Sequence, residues 1–239
     1  MNSRYESIVI DLEFTGTPND LGIPGFTDEV IDIGAVRVDC QGNILDSFHT
    51  FVKPEYAESV SKYVTRLTGI SDRDLIGAPC FVEAMDLLTS WIGTIGSKRM
   101  VAWSKADKHQ IDTESMVKGY ALPMLLAHWI DLQAILPRVM HIGGRGKHMS
   151  LKRAAEWYGN EISLEESHHA LYDAMQTADL LAQLLNGSLE EHIRVLDMVM
   201  PQRGRRAEEH AGMGPMAGLL SELFHQMGGN KSLVRHISA

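Results

Sequence analysis

Cysteine is nearly missing from this chain: Cys40 and Cys80 are the only two in 239 residues. They form no Cys-x-x-Cys pair. A disulfide framework and a cysteine-rich zinc site are therefore excluded, and a reducing compartment, the cytoplasm, is expected. No stretch approaches ~18 uninterrupted apolar residues, so neither a membrane span nor a membrane partner is expected. The opening run Met1 to Phe14 lacks a long apolar core and is not expected to be a secretion signal. Basic charge is also scarce. The 22 Lys and Arg residues face 31 Asp and Glu, a formal net charge of −9. That argues against a broad electrostatic coat for nucleic acid, although one local cleft remains compatible with it. No His-Glu-x-x-His spacing occurs, which argues against a zinc hydrolase.

What is present is globular. Hydrophobic residues make up 44% and charged residues 22%, enough for a full core without staples. The length suits one α/β domain plus an appendage. Apolar runs rich in β-branched residues predict strands over 7–12, 30–38 and 44–52, the last stopped by Pro54. Short or medium loops between them imply an antiparallel meander. The period then changes. Helices are predicted over 60–67 and 81–92, the latter with Val82, Met85, Leu87 and Leu88 near one face. A strand over 100–103, a helix over 107–120, a strand over 128–132 and helices over 150–158 and 168–185 follow. Strands alternating with helices after a meander make a mixed sheet with helices on both faces. Beyond Gly187 the composition shifts to Met, Gly and the basic run 202–206. A helical or flexible extension over 187–239 is expected there, with stretches 189–199 and 216–227 able to form helices.

Three segments can carry chemistry. Asp11 and Glu13 close the first strand at i and i+2, so both carboxylates project from one face. At ~4.5 Å and an effective dielectric near 20 their repulsion is ~4 kcal/mol, which a proton, an arginine or a divalent cation has to offset. Asp107 follows a buried strand and a polar turn, and opens a helix. His168 and Asp173 lie five apart, about 140° on a regular helix. They share a cleft only if His168 sits at or before the helix start, with Ser167 as the candidate N-cap. The loop 141–148 is basic and glycine-rich, and is read either as solvated or as a phosphate contact.

These segments together resemble the three motifs of the DEDDh 3′→5′ exonucleases. Asp11-Leu12-Glu13-Phe14-Thr15-Gly16 matches the first motif, the Asp107 segment the second, and His168, Ala170, Asp173 and Ala174 the third. The likeness extends to residues 29–36 and 67–70 and covers about residues 7–185. Phe14 and the Trp103-Ser104 segment are most similar to the branch that trims RNA 3′ ends, which also contains inhibitors of a sporulation kinase pathway. The resemblance implies a ribonuclease H-like fold over residues 1–186. It implies hydrolysis at single-stranded 3′ ends, RNA in preference to DNA, with release of 5′-monophosphates.

The implied metal ligands are Asp11, Glu13, Asp107 and Asp173, hard oxygen donors suited to two divalent cations, Mg²⁺ or Mn²⁺. His168 is the implied general base, since an imidazole ordinarily titrates near pH ~6.5. Phe14 and Thr15 are the implied substrate contacts beside the terminal sugar, with core packing as the other reading of Phe14. Two further readings stay open. One is a regulatory protein that keeps the fold and acts by protein binding; the other is a polymerase-associated proofreading subunit. The extension would then supply a protein contact or self-association.

Overall fold

The computed structural model describes residues 6–16, 23–93, 98–139, 149–157 and 168–187. Strand β1 (Glu6–Phe14) lies at the centre of a five-stranded sheet of order β3-β2-β1-β4-β5. Strands β2 (Val30–Val38) and β3 (Ile44–Phe51) build the antiparallel meander. Strands β4 (Lys98–Ala102) and β5 (Trp129–Asp131) add on the other side of β1, both parallel. The helices are α1 (Lys62–Thr68), α2 (Phe81–Ile92), α3 (Lys105–Val117), α4 (Leu132–Val139), α5 (Leu151–Trp157) and α6 (Ala170–Leu185), with a 3₁₀ turn over Met124–Leu126.

The sheet is covered on both faces, as the apolar runs of β1 and β2 require. Odd-numbered Val9 packs with Val36, Val101 and residues of α4, α5 and α6. Even-numbered Ile8, Ile10 and Leu12 pack with α2 and with Ile111 of α3 on the opposite face. The mixed α/β architecture and the three-stranded meander agree with the sequence reading.

Several boundaries differ. Helix α3 starts at Lys105, because the Ser104 hydroxyl caps it by accepting the Ala106 N–H at 3.1 Å. Asp107 is therefore its third residue rather than its first. Helix α6 starts at Ala170 with His169 as N-cap, not Ser167. Helix α2 buries Phe81, Ala84, Met85, Leu88 and Ile92, while Leu87 of the expected face is exposed. Helix α4 follows β5 directly and had no counterpart among the expected elements. The expected loop 141–148 and the extension lie outside the described residues, Gly187 excepted.

Close packing of α6 on the sheet sets the position of its first turn. A Cβ built on Gly34 of β2 would lie 2.1 Å from the Leu171 backbone nitrogen and 2.2 Å from the Ala170 carbonyl carbon. Only a glycine lets the helix approach that far. Gly34→Ala is expected to destabilise the protein by about 1–3 kcal/mol, the usual size of overpacking, because backbone rather than a flexible side chain has to yield. Urea unfolding should show a lower midpoint at unchanged slope.

Candidate active site

Strand alternation puts Asp11 and Glu13 on the α6 face of the sheet, as expected from their spacing. Opposite them on β2 stand Gly34 and Asp32. The sheet register shifts after Glu13, where the chain turns out of the strand through Phe14. Asp107 reaches the same region from the first turn of α3. Its carboxylate accepts the N–H groups of Leu12 and of Asp107 itself. Asp173 arrives from the first turn of α6 and accepts the backbone N–H of His168. Single ligating atoms of Glu13, His168 and Asp173 lie within 4.8 Å of one another.

His168 precedes the helix, so the five-residue spacing to Asp173 closes on one cleft. It is the only non-glycine among the described residues with a positive φ, 68°. The left-handed region costs an L-residue roughly 1–2 kcal/mol, and such strain gathers at functional sites. His169 points elsewhere: a Cβ on Gly69, the C-cap of α1, would lie 3.9 Å from its Nε2. The side chain of the second histidine thus sits over the end of α1.

Electrostatics mark the cluster. Burial pushes the Asp11 carboxyl well above the usual range, and Asp107, Asp173, Glu13 and Asp32 add to the shift. Glu13 is pushed up to about 9 by burial, then by Asp173, Asp32 and Asp107. Burial raises Asp107 to about 7 against the pull of its two N–H donors, with Asp131 and Asp173 adding to the rise. Asp173 is raised by burial and held back by His168. Among the described residues no lysine or arginine forms an ion pair with any of the four. Four oxygen donors from three chain segments, without a lysine or arginine of the described residues paired to them, fit divalent metal ions of the Mg²⁺ or Mn²⁺ kind.

The two other expected site residues are placed differently. Thr15 is fully buried, and its hydroxyl accepts the Glu29 N–H at 3.1 Å. Its side chain turns inward to brace β2 rather than toward a terminal sugar. Phe14 is half-buried against the cluster of Ile10, Leu12 and Phe81, which accords with the core-packing reading and leaves part of its ring exposed.

Two acids and one lysine were not singled out from sequence. Asp131 ends β5 and accepts the Ala134 N–H at 2.9 Å, starting α4. Asp32 is fully buried, and an acid inside an otherwise apolar strand was the visible signal for it. Lys118, just past α3, forms ion pairs with Glu29 at 2.7 Å, Glu114 at 2.8 Å and Glu55 at 3.0 Å. Burial pushes the Glu29 carboxyl up, but Lys118 and the loop N–H donors outweigh it and hold Glu29 low.

Comparison with known proteins agrees with this geometry. An exonuclease family model (RNase_T) matches residues 8–181. The DNA polymerase III PolC-type of Caldanaerobacter subterraneus is 27% identical over 180 residues, 75% of this chain and 12% of that protein. The PolC-type polymerase of Clostridium perfringens is 31% identical over 177 residues, 74% of this chain and 11% of that protein. This chain thus spans about a tenth of the length of these relatives.

Among solved structures, the nuclease domain of 3′hExo, a DEDDh family member bound to rAMP, superposes with a TM-score of 0.67 at 20% identity, covering 77% of this chain and 94% of that one. Exonuclease I superposes with a TM-score of 0.60 at 15% identity, covering 81% and 43%. These likenesses establish the ribonuclease H-like exonuclease fold. DEDDh exonucleases use divalent metal ions, which accords with the donor set assembled here. On the family match, the fold and the four converging carboxylates beside His168, the chain belongs to the DEDDh family of 3′→5′ exonucleases.

Proposed function

We propose that this chain is a metal-dependent exonuclease that removes nucleotides from single-stranded 3′ ends, RNA in preference to DNA, releasing 5′-monophosphates. The observation that carries the reading is the convergence of Asp11, Glu13, Asp107 and Asp173 near His168, with no lysine or arginine of the described residues paired to them. These four would hold two divalent cations, Mg²⁺ or Mn²⁺. When bound, such ions neutralise the phosphate, lower the pKa of a water and stabilise the leaving oxygen.

The chain's own residues do the rest. His168 would take the proton of the attacking water at an imidazole nitrogen. Asp173 holds the His168 N–H and so keeps that ring beside Glu13. The exposed part of Phe14 would meet the terminal nucleotide, and Thr15 would act by holding the strand end in place. Single strands are favoured because splaying a paired terminal base costs a few kcal/mol.

Residues 1–186 would form the nuclease unit, and 187–239 an extension that binds a protein partner or another copy. The free cysteines Cys40 and Cys80 suit work in the cytoplasm. A second reading, a DNA-directed nuclease working with a polymerase, is favoured by the PolC-type relatives. Labelled RNA and DNA oligomers incubated with Mg²⁺, Mn²⁺ or EDTA separate the two, and inactivity on both would overturn the proposal.

Asp107→Asn is expected to abolish turnover and weaken metal binding while the metal-free fold stays intact or gains stability, because one charge leaves an acidic cluster. Near-normal turnover would remove Asp107 from the ligand set. His168→Ala should cost ~10²–10⁴ in rate, the usual general-base contribution. His169→Ala should be mild.

The acidic cluster also sets a pH dependence. Glu13 is raised from 4.5 to about 9 and Asp107 from 3.8 to about 7. A folded state that holds protons more tightly than the unfolded chain is favoured at low pH. The contribution of these groups is full below their ordinary values and is lost as pH rises toward 7 for Asp107 and 9 for Glu13. In EDTA the melting temperature should therefore fall as pH rises across that window, and saturating Mn²⁺ should flatten the slope. A metal-free protein with no such fall would contradict the cluster's electrostatics.

On a 5′-labelled single strand the expected products form a ladder that shortens from the far end. Early release of a labelled mononucleotide, or cleavage of a circular strand, would show the opposite polarity or an endonuclease.

A further inference from the structure

Asp32 is fully buried and, among the described residues, faces the four candidate carboxylates without belonging to the implied ligand set. It lies directly across from Glu13 in the β1–β2 register. Both of its oxygens are engaged. Oδ2 accepts the Ala170 N–H at 3.2 Å, and Oδ1 lies 2.8 Å from His49 Nε2. Ala170 is the first residue of α6, two positions beyond His168. Its N–H is one of the donors that a helix leaves without a partner inside its own turn. The N-cap residue His169 makes no side-chain cap bond. Asp32 supplies that partner from a neighbouring strand.

The turn that carries His168 is therefore held at two points by two carboxylates. Asp173 takes the His168 N–H from within α6. Asp32 takes the Ala170 N–H from β2, where Gly34 lets the helix start touch the sheet. Between these points the chain holds His168 at φ 68°. A left-handed conformation of this kind persists only where its surroundings over-determine it. His49 completes the arrangement by occupying the other Asp32 oxygen, which keeps that carboxylate aimed at α6.

We infer that Asp32, oriented by His49, is a positioning residue that fixes the His168 turn for catalysis and is not a fifth metal ligand. The inference rests on the proposed role of His168 and deepens it. An asparagine keeps an acceptor for the Ala170 N–H and an amide N–H for a neutral His49, yet has no charge. A valine suits a buried strand and has neither.

The test compares Asp32→Asn with Asp32→Val, and with Asp32→Ser as a smaller truncation should the valine fail to fold. Steady-state kinetics on a short single-stranded oligomer, the Mn²⁺-induced rise in melting temperature and amide hydrogen exchange at Ala170 are read for each. For Asp32→Val the expected result is a kcat lower by roughly 10–100-fold, the usual cost of losing such a supporting contact. KM and the Mn²⁺ effect should be unchanged, and exchange at Ala170 should be faster. Asp32→Asn should restore kcat and the protection.

A lost Mn²⁺ effect in Asp32→Asn would make Asp32 a ligand and overturn the inference. So would a normal kcat, or an undisturbed Ala170 amide, in the truncated variants. If the unsubstituted protein proves inactive, the functional reading fails, and the exchange data still decide whether Asp32 holds the turn.

Discussion

Four carboxylates share one end of this sheet, and every part of the fold around them answers to that constraint. Two like charges ~4.5 Å apart at an effective dielectric near 20 repel by ~4 kcal/mol, and several carboxylates here raise one another's pKa. Partial burial makes the ionised forms still less favourable, as the upward shifts of Asp11, Glu13, Asp107 and Asp173 record. The metal-free protein relieves this by holding protons; a cation-loaded protein would relieve it by charge neutralisation. The net charge of −9 is therefore no obstacle to a nucleic-acid substrate. The compensation is local, within the cluster, and needs no basic surface.

A repulsive cluster keeps its geometry only if the elements that carry it cannot separate. The central strand β1 is buried on both faces, with Ile8, Val9 and Ile10 all inaccessible. Helix α6 is pressed onto β2 at Gly34 and joined to Asp32. Helix α3 is tied at its far end through Lys118, whose ammonium gathers Glu29, Glu114 and Glu55. A buried network of this kind is weak evidence for stability, since desolvation cancels much of the attraction. It does fix relative position. Glu114 also accepts the Val30 N–H at 2.9 Å, and Gln110 donates to the Asp28 carbonyl at 2.7 Å. The helix bearing Asp107 is thereby registered against the start of β2.

What could be read from sequence followed the range of the physics. Alternation along one strand put Asp11 and Glu13 on one face, and helical period put His168 before α6; both arguments are local and both geometries occur. Boundaries shifted where a single cap decided them, as at Ser104. The expected face of α2 holds at Met85 and Leu88 but not at Leu87, an apolar residue adjacent to Leu88 that fits the period nearly as well as Phe81 and Ala84. Helix α4 escaped because it follows β5 without a turn, its start marked only by Asp131. The Lys118 network was illegible for a different reason. Its partners are 89 residues apart in the case of Glu29, and nothing local distinguishes that lysine from a solvated one.

The end of β1 is tied into the rest of the fold. Thr15 is spent on structure: its N–H donates to the Glu29 carbonyl at 2.9 Å, its carbonyl accepts the Ser61 N–H at 3.0 Å and its hydroxyl accepts the Glu29 N–H. Phe14 and Gly16 flank it. Gly16 has φ 58°, and a Cβ there would strike Val64 Cγ2 at 2.3 Å, so the chain leaves the strand along one path, pinned against α1. That path is held by Glu29, and Glu29 by Lys118. The end of β1 and the helix that supplies Asp107 are thus joined through one buried ammonium. On the proposed function, a substrate that displaced the end of β1 would, through Glu29 and Lys118, disturb the helix that carries Asp107.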